Sequence, residues 1–195
     1  HDATAVTMAI TATAVVSGGS YNAAATVTFT SSETTTNFSA ADVTLVNCTL
    51  SSWNASSGTV YTATATPIAA GAVSVKVNAA RFTDVASNQN TASNTYSWTH
   101  DTTAPTMTIA ASPNVNGAAY NGAATLTFTS SEATANFIAA DVTLVNCTLS
   151  NWNAVSDTVY TATVTPSGAG TVSVKVNTVR FTDAAGNQNS ASNTY

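Results

Sequence analysis

Among the residues of this sequence, Asp and Glu have the side-chain type and the spacing that could support chemistry. The chain has 195 residues with nine Asp and Glu, and eight of the nine form pairs 99 positions apart. The pairs are Asp2 with Asp101, Glu33 with Glu132, Asp42 with Asp141, and Asp84 with Asp183. Carboxylate oxygens bind hard divalent cations, and Ca²⁺ accepts about six to eight oxygen ligands in a flexible geometry. The paired acids are therefore candidate metal ligands, whereas Asp157 has no acidic counterpart.

An internal repeat decides how these acids are positioned. His1–Ala5 aligns with His100–Ala104, and the rest of the chain stays in register without an insertion. A unit of this length is the size of a whole domain and is too long for one turn of a solenoid. The sequence therefore predicts two copies of one domain, residues 1–99 and 100–195.

Each copy shows the hydrophobic pattern of β-strands. Apolar residues alternate with Thr or Ser, as in Thr158–Thr165. Period two with β-branched residues is typical of strands with one buried face, and no stretch has the period of a helix. About seven short strands in about 99 residues predict an all-β fold, an antiparallel β-sandwich. In the second copy the strands are expected near Pro105–Ala110, Ala123–Thr129, Val142–Leu149, Val159–Thr165, Thr171–Val176 and from Asn193 onward, with a weaker seventh around Trp152.

Three segments of the second copy carry a resemblance to a known family: Asp101–Thr106, Tyr160–Pro166 and Phe181–Asn187. In this order and spacing they resemble the bacterial Ig-like domains that form long arrays in giant adhesins and biofilm surface proteins. The likeness covers both copies, although Ser87 stands where the second copy has Gly186. It implies two tandem Ig-like antiparallel β-sandwiches arranged end to end in an extracellular array, of a kind often stiffened by calcium at the domain junctions.

The Ig-like fold predicts where the acids meet. The start of the first strand and two of the loops lie at the same pole of such a sandwich. Asp101 precedes the first strand, Glu132 follows the second, and Asp183 lies in the Phe181–Ser192 loop. We therefore expect these three carboxylates to converge beside the linker, without a Lys or Arg nearby. The matching set of the first copy is Asp2, Glu33 and Asp84.

Like charges that lie close together raise each other's pKa and cost stability unless a cation lies among them. An oxygen-only ligand set favours Ca²⁺ over Mg²⁺. The sequence therefore predicts Ca²⁺ as the cofactor of each cluster.

Four further residues are less certain ligands: Asp42, Asp141, Asn88 and Asn187. Capping of a short helical turn explains Asp42 and Asp141 nearly as well as metal binding does. Asx turns are the alternative role of Asp183 and Asn187. Asp157 is expected to lie away from the acidic pole.

Composition excludes several classes of function. Charged residues make up 7% of the chain and hydrophobic residues 44%, with a net charge of -5 at pH 7. The hydrophobic fraction suffices for a folded core, and no basic stripe is left to neutralise phosphates. Nucleic acid is therefore not an expected partner. No apolar run approaches the roughly 18 residues that span a bilayer, so membrane insertion of this segment is not expected.

The remaining reactive side chains predict no catalytic site. His1 and His100 are the two histidines of the chain and occupy equivalent linker positions. A zinc site or a Ser-His-Asp triad needs further His or Cys nearby, and neither copy has a second histidine or a visible nucleophile–base pair. Cys48 and Cys147 are expected to be buried as small hydrophobes, with an intermolecular disulfide as the alternative.

These observations predict a non-enzymatic spacer or filament module of a bacterial cell-surface adhesin or extracellular fibre, stiffened by Ca²⁺ at the domain junctions. Its expected partners are neighbouring Ig-like repeats of the same chain, and identical chains if the module assembles into a fibre. The alternative is a carbohydrate-binding module, whose sugar-binding face would be lined by Trp53, Trp152, Tyr61 and Tyr160. Because the first residues match the middle of the interdomain linker, the chain is expected to be a window of a longer array.

Overall fold

The computed structural model describes residues 2–195, and these form two compact units that divide between Asp101 and Thr102. We call them unit 1 and unit 2. Both consist mainly of β-strands, as predicted, with a short 3₁₀ turn at Ala40–Asp42 and another at Ala139–Asp141. Among the described residues there is no helix with the length and apolar character needed to cross a membrane.

Unit 1 is a sandwich of two four-stranded sheets. Its strands are β1 (Met8–Thr13), β2 (Ser20–Tyr21), β3 (Ala25–Ser31), β4 (Val43–Val46), β5 (Cys48–Ala55), β6 (Val60–Pro67), β7 (Gly71–Val77) and β8 (Tyr96–His100). One sheet has the order β1-β3-β6-β5 and the other β2-β8-β7-β4. The pairing is antiparallel except between β2 and β8, which run parallel. The predicted antiparallel sandwich is therefore confirmed, with one short parallel pair added.

Unit 2 repeats this arrangement with a smaller second sheet. Its strands are β9 (Met107–Ser112), β10 (Ala124–Ser130), β11 (Val142–Val145), β12 (Cys147–Ala154), β13 (Val159–Pro166) and β14 (Ser173–Val176). One sheet has the order β12-β13-β10-β9, and the other contains β11 and β14. The strand expected from Asn193 onward is reduced to Tyr195, which exchanges backbone hydrogen bonds of 2.7 and 2.9 Å with Val174.

The core of each unit follows directly from the period-two pattern. In β3 and β10 every second side chain is buried, and Phe29 and Phe128 at the centre of these strands are 0% exposed. The alternate Thr side chains face outward or lie at intermediate depth. The two sheets of each unit bury their apolar faces against each other in one cluster.

The expected strand Val142–Leu149 was wrong, because it joins two strands that belong to different sheets. The chain leaves β11 at Asn146, which has φ 54°, and enters β12 at Cys147. Asn adopts this left-handed conformation more readily than other side chains do. Asn47 makes the same turn in unit 1, and its side chain is held by hydrogen bonds with the backbone of Ala69. The weak strand expected around Trp152 is the later part of β12.

Candidate metal centre

A buried asparagine shapes the loop that carries the third acid of each cluster. In unit 1 the chain turns back between Arg81 and Asn90, and the Asn90 side chain is 3% exposed. Its Oδ1 accepts hydrogen bonds from the backbone N–H groups of Arg81 and Phe82, at 2.7 and 3.0 Å. Its Nδ2 donates to the carbonyl oxygens of Asn78 and Thr91, at 2.8 and 2.7 Å. One side chain thus satisfies four backbone groups at the base of the loop.

The carboxylate at the tip of this loop is held by a second asparagine. Asp84 is 2% exposed, and its two oxygens accept hydrogen bonds from the backbone N–H and the Nδ2 of Asn88, at 2.8 and 2.9 Å. Asp183 and Asn187 repeat both bonds in unit 2 at the same lengths. Ser87 takes φ 68° where Gly186 takes φ 94°, so the loop keeps its form without the glycine.

Hydrogen bonds attach the loop after β3 to the loop that carries Asp84. Asn37 Oδ1 accepts the backbone N–H of Thr83 at 2.9 Å, and Thr36 donates its own N–H to the Thr83 carbonyl at 3.3 Å. An isolated β-bridge also joins Thr35 to Asp84. These bonds bring Glu33, which follows β3, next to the Asp84 loop.

Three carboxylates meet there in each repeat. Asp2, Glu33 and Asp84 each offer one oxygen, and these oxygens lie within 4.8 Å of one another. Asp2 is exposed, Glu33 is half-buried and Asp84 is buried. The equivalent residues Asp101, Glu132 and Asp183 come equally close. The convergence predicted from the sequence is therefore present in the structure.

The donor set fits a calcium ion. Protein oxygens lie about 2.3–2.6 Å from Ca²⁺, so two oxygens on opposite sides of one ion can be roughly 5 Å apart. A separation of no more than 4.8 Å lets all three carboxylates of a cluster reach the same ion. The remaining coordination positions would be filled by water and by backbone carbonyl oxygens, as is usual for Ca²⁺.

The charges within the unit 1 cluster act against one another. Burial, and then the nearby carboxylates of Asp2 and Asp84, raise the pKa of Glu33 above its ordinary value of 4.5. The Asn88 side chain, donating a hydrogen bond, is the main influence that lowers the pKa of Asp84 below its ordinary value of 3.8. Asp84 is thus kept as an anion, and Glu33 is the group that holds a proton most easily.

This contrast predicts the pH dependence of unit 1 when no divalent ion is bound. Between pH 4.5 and the raised pKa of Glu33, the folded state binds more protons than the unfolded state, so stability falls as the pH rises. Asp84 acts in a separate range, since its contribution is lost as the pH falls through its lowered pKa, below 3.8. In EDTA, Glu33→Gln is expected to abolish the fall in the stability of unit 1 above pH 4.5. Thermal unfolding of the unchanged chain and of the variant at a series of pH values measures this. Equal pH slopes for the two chains would contradict the assignment.

A comparison with known protein families gives matches that together cover nearly the whole chain. The profile described as "Bacterial Ig-like domain" matches residues 2–99 and again residues 101–195. The chain belongs to the bacterial Ig-like domain family. The two matches agree with the internal repeat and with the sandwich topology of each unit. No significant match is found among curated proteins.

The chain is also similar to three solved structures of larger proteins. Invasin, described as a bacterial integrin-binding protein, is 15% identical over 86% of this chain and 36% of its own, with a TM-score of 0.37. InvD of Yersinia pseudotuberculosis is 20% identical over 98% and 58%, with a TM-score of 0.35. Domains 4–9 of the surface layer protein SbsC are 15% identical over 93% and 30%, with a TM-score of 0.29. The chain spans less than two thirds of the length of each of them.

The less certain ligands of these Ig-like domains have structural roles. Asp42 Oδ2 accepts hydrogen bonds from the backbone N–H and the hydroxyl of Ser39, at 2.9 and 3.0 Å, and so caps the 3₁₀ turn. Asp141 Oδ2 accepts the N–H of Ile138 at 2.9 Å. Neither acid belongs to a three-carboxylate cluster of the described residues. Asn88 and Asn187 use their N–H groups to position the neighbouring aspartate.

The expected place of Asp157 was wrong. Its backbone carbonyl accepts the N–H of Thr134 at 2.9 Å, and Thr134 forms a β-bridge with Asp183. Asp157 therefore lies at the acidic end of unit 2, although it is not part of the cluster. The loop before β13 turns at this end, which the unpaired position of Asp157 in the repeat did not indicate.

The aromatic residues considered for a sugar-binding face pack inward. Tyr160 is 6% exposed, and its hydroxyl forms a hydrogen bond of 2.5 Å with Thr134. Trp152 is half-buried, with its ring 5.5 Å from Phe128 and 5.3 Å from Phe137. Trp53 and Tyr61 occupy the same places in unit 1. A row of exposed rings, as a sugar platform requires, is not formed by these four residues.

The cysteines and the described histidine have ordinary environments. Cys48 and Cys147 are both free and buried, as expected for small hydrophobes, and burial raises the pKa of each thiol. His100 is half-buried at the end of β8, with Nδ1 at 3.3 Å from the Tyr21 carbonyl. His1 lies outside the described residues.

Proposed function

We propose that the chain is a calcium-binding structural module of a bacterial cell-surface adhesin or extracellular fibre. Each Ig-like repeat binds one Ca²⁺ through its three-carboxylate cluster. The repeats serve as spacers that carry other parts of a longer surface protein away from the cell. The partners of such a module are the neighbouring repeats of the same chain.

The repetition of the cluster is the observation that carries this proposal. The chain has nine acidic residues, and six of them form two equivalent groups of three. Carboxylates so close together repel one another, and a divalent cation bound among them would convert that repulsion into attraction. Side chains that cost stability in the absence of an ion are best explained by a ligand role.

The position of Asp101 suggests how the ion would affect stiffness. Asp101 is the first residue of the second family match, directly before Thr102 and close to Pro105, which restricts the backbone. An ion bound by Asp101, Glu132 and Asp183 would fix the connecting segment to the loops of the second repeat. Calcium would then reduce the bending freedom of the tandem pair.

Calcium titration of the whole chain tests the proposal. We expect two ions per chain in isothermal titration calorimetry, and one ion for Asp183→Asn. Asp157→Asn is a matched control, because it removes the same charge from the same end of unit 2 without removing a cluster oxygen. This variant is expected to retain two ions.

Thermal unfolding and small-angle scattering give the second measurement. At a hundredfold excess over Kd, bound Ca²⁺ stabilises a unit by about 2.7 kcal/mol, and EDTA should remove this gain. Scattering should show a narrower range of dimensions with Ca²⁺ than with EDTA. Identical melting temperatures and dimensions in the two conditions would show that the clusters do not bind calcium.

A further inference from the structure

Four Asn-X-Ser/Thr sequences in the chain match the pattern at which enzymes attach N-linked sugars. We call them acceptor sequences, and they begin at Asn37, Asn47, Asn54 and Asn146. The pattern arises easily in a chain rich in Asn, Ser and Thr, so the environment of each site has to decide between them. A transferase binds all three residues and must reach the amide nitrogen of the Asn, which is why used acceptors lie at the surface.

Two of the acceptor sequences lie where the chain crosses from one sheet to the other. Asn47 is half-buried, and its Nδ2 donates a hydrogen bond of 2.7 Å to the Ala69 carbonyl. Asn146 repeats this arrangement with a carbonyl oxygen of the loop before β14. The middle residues of the two sequences are Cys48 and Cys147, and both are buried. A transferase could therefore bind neither sequence without local unfolding.

The acceptor sequence at Asn37 is fixed by its middle residue. Phe38 is 7% exposed, and its ring centroid lies within 5.7 Å of those of four other aromatic rings in the core. On one side of it, Asn37 Oδ1 accepts the backbone N–H of Thr83, and on the other the Ser39 hydroxyl donates to Asp42. Binding of this segment by an enzyme would require Phe38 to leave the core.

The acceptor sequence at Asn54 is accessible along its whole length. Asn54, Ala55 and Ser56 are all exposed. They lie at the end of β5, which is the outermost strand of the sheet β1-β3-β6-β5. Asn54 Nδ2 donates a hydrogen bond of 2.9 Å to the Ser56 hydroxyl. The amide and the hydroxyl that define the sequence are thus held side by side at the surface.

Unit 2 has the same strand at this place without the acceptor sequence. Asn153 occupies the position of Asn54, and each follows the bulge in its edge strand. Val155 stands where unit 1 has Ser56, and it is 58% exposed. The two repeats therefore provide a matched pair, in which the same exposed Asn is followed by a Ser in one unit and by a Val in the other.

We propose that Asn54 is the acceptor of an N-linked sugar, attached to the folded chain by a glycosyltransferase. The co-substrate is a sugar joined through its anomeric carbon to a diphosphate, which is carried by a nucleotide or by a lipid. The Asn54 amide nitrogen forms a bond to the anomeric carbon and gives up one proton to a base of the enzyme. The bond from that carbon to the diphosphate oxygen breaks, and its electron pair leaves with the diphosphate.

A sugar at this position would compensate for a missing surface property. The four strands of the sheet β1-β3-β6-β5 contain no Asp, Glu, Lys or Arg. An attached sugar is bulky and strongly hydrated, so it would supply the solubility that charged side chains usually give to an exposed sheet. The inference does not depend on the proposed calcium sites.

Reaction of the folded 195-residue chain with purified transferases that recognise Asn-X-Ser/Thr tests the proposal. One reaction contains a transferase that uses a nucleotide-linked hexose, and the other contains one that uses a lipid-linked oligosaccharide. Mass spectrometry of proteolytic peptides measures the modified fraction at each Asn. We expect modification of Asn54 to exceed that of the other three acceptor sequences by at least about tenfold, because those three require local unfolding. The reaction that yields product identifies the carrier of the sugar.

Three variants connect the reaction to this sequence and this strand. Ser56→Ala should abolish modification of Asn54, whereas Ser56→Thr should retain it. Val155→Ser should add a second modified residue, Asn153, because it completes the same sequence on the same edge strand. An unmodified Asn54 in both reactions would overturn the proposal, and so would equal modification of Asn47 in the folded chain. An unmodified Asn153 in Val155→Ser would contradict the role given to the exposed edge strand.

Discussion

Asn90→Ala is expected to lower the free energy of unfolding of unit 1 by about 3–5 kcal/mol. The substitution removes the acceptor of two backbone N–H groups and the donor to two carbonyl oxygens, at a site that is 3% exposed. Each buried polar group left without a partner costs about 1–3 kcal/mol, and water can reach some of them after local relaxation. For a unit of this size the loss corresponds to a fall in Tm of more than about 10 °C.

Two further variants test whether this loss of stability comes from the hydrogen bonds of the Asn90 side chain. Asn189→Ala removes the same four bonds from unit 2, so it should shift the other calorimetric transition by a similar amount. Asn78→Ala removes one exposed hydrogen bond, to Thr44, and should cost less than about 0.5 kcal/mol. If Asn90→Ala lowered the free energy of unfolding as little as Asn78→Ala, the stability of the loop would not depend on the buried Asn90 side chain. Asn90→Ala should also weaken calcium binding in unit 1, because Asp84 lies on the loop that Asn90 supports.

The sequence carried enough information to predict the acid cluster because two signals coincide there. The repeat singled out the paired acids among a chain with 7% charged residues, and the sandwich topology brought Asp2, Glu33 and Asp84 to one end. Topology alone also made Asp42 a candidate metal ligand, because it cannot resolve whether a side chain lies a few ångströms away from the cluster. The structure decides this case, because Ser39 engages the Asp42 carboxylate locally.

The supporting asparagines were not predictable in the same way. Asn90 and Asn37 are repeated in unit 2, but Asn is common throughout this sequence and is an ordinary turn residue. Nothing in the local pattern distinguishes an Asn that bonds four buried backbone groups from one on the surface. Their identical spacing from the aspartate in both repeats was the one available signal.

The boundary between β4 and β5 shows a further limit of pattern reasoning. Apolar residues recur from Val43 through Leu50, which favours one strand, although they shift from odd to even positions across Asn47. The break depends on one backbone conformation, the left-handed Asn47, after which the chain crosses from one sheet to the other. In the sequence this break is marked by a one-residue shift in the phase of the apolar pattern, with an Asn at the shift.

Trp98→Ala is expected to destabilise unit 1 by about 3–5 kcal/mol, because it removes a large buried side chain from the core. The Trp98 side chain is 2% exposed and packs into the unit 1 core between β2 and β7. Truncation to Ala removes this buried surface and leaves a cavity that the paired strands on either side cannot close. The measurement is the calorimetric transition of unit 1, with that of unit 2 as the internal reference.

Trp98→Phe separates apolar packing from hydrogen bonding at this site. The Nε1 of Trp98 is buried and has no hydrogen-bond partner among residues 2–195, so the indole N–H already costs stability in the folded state. Phe loses part of the buried ring but also removes this unpaired donor, and the two effects act in opposite directions. We therefore expect Trp98→Phe to cost less than about 1.5 kcal/mol, well below the cost of Trp98→Ala. Equal losses for Phe and Ala would contradict this assignment, because the aromatic ring that Phe retains would then contribute nothing to stability.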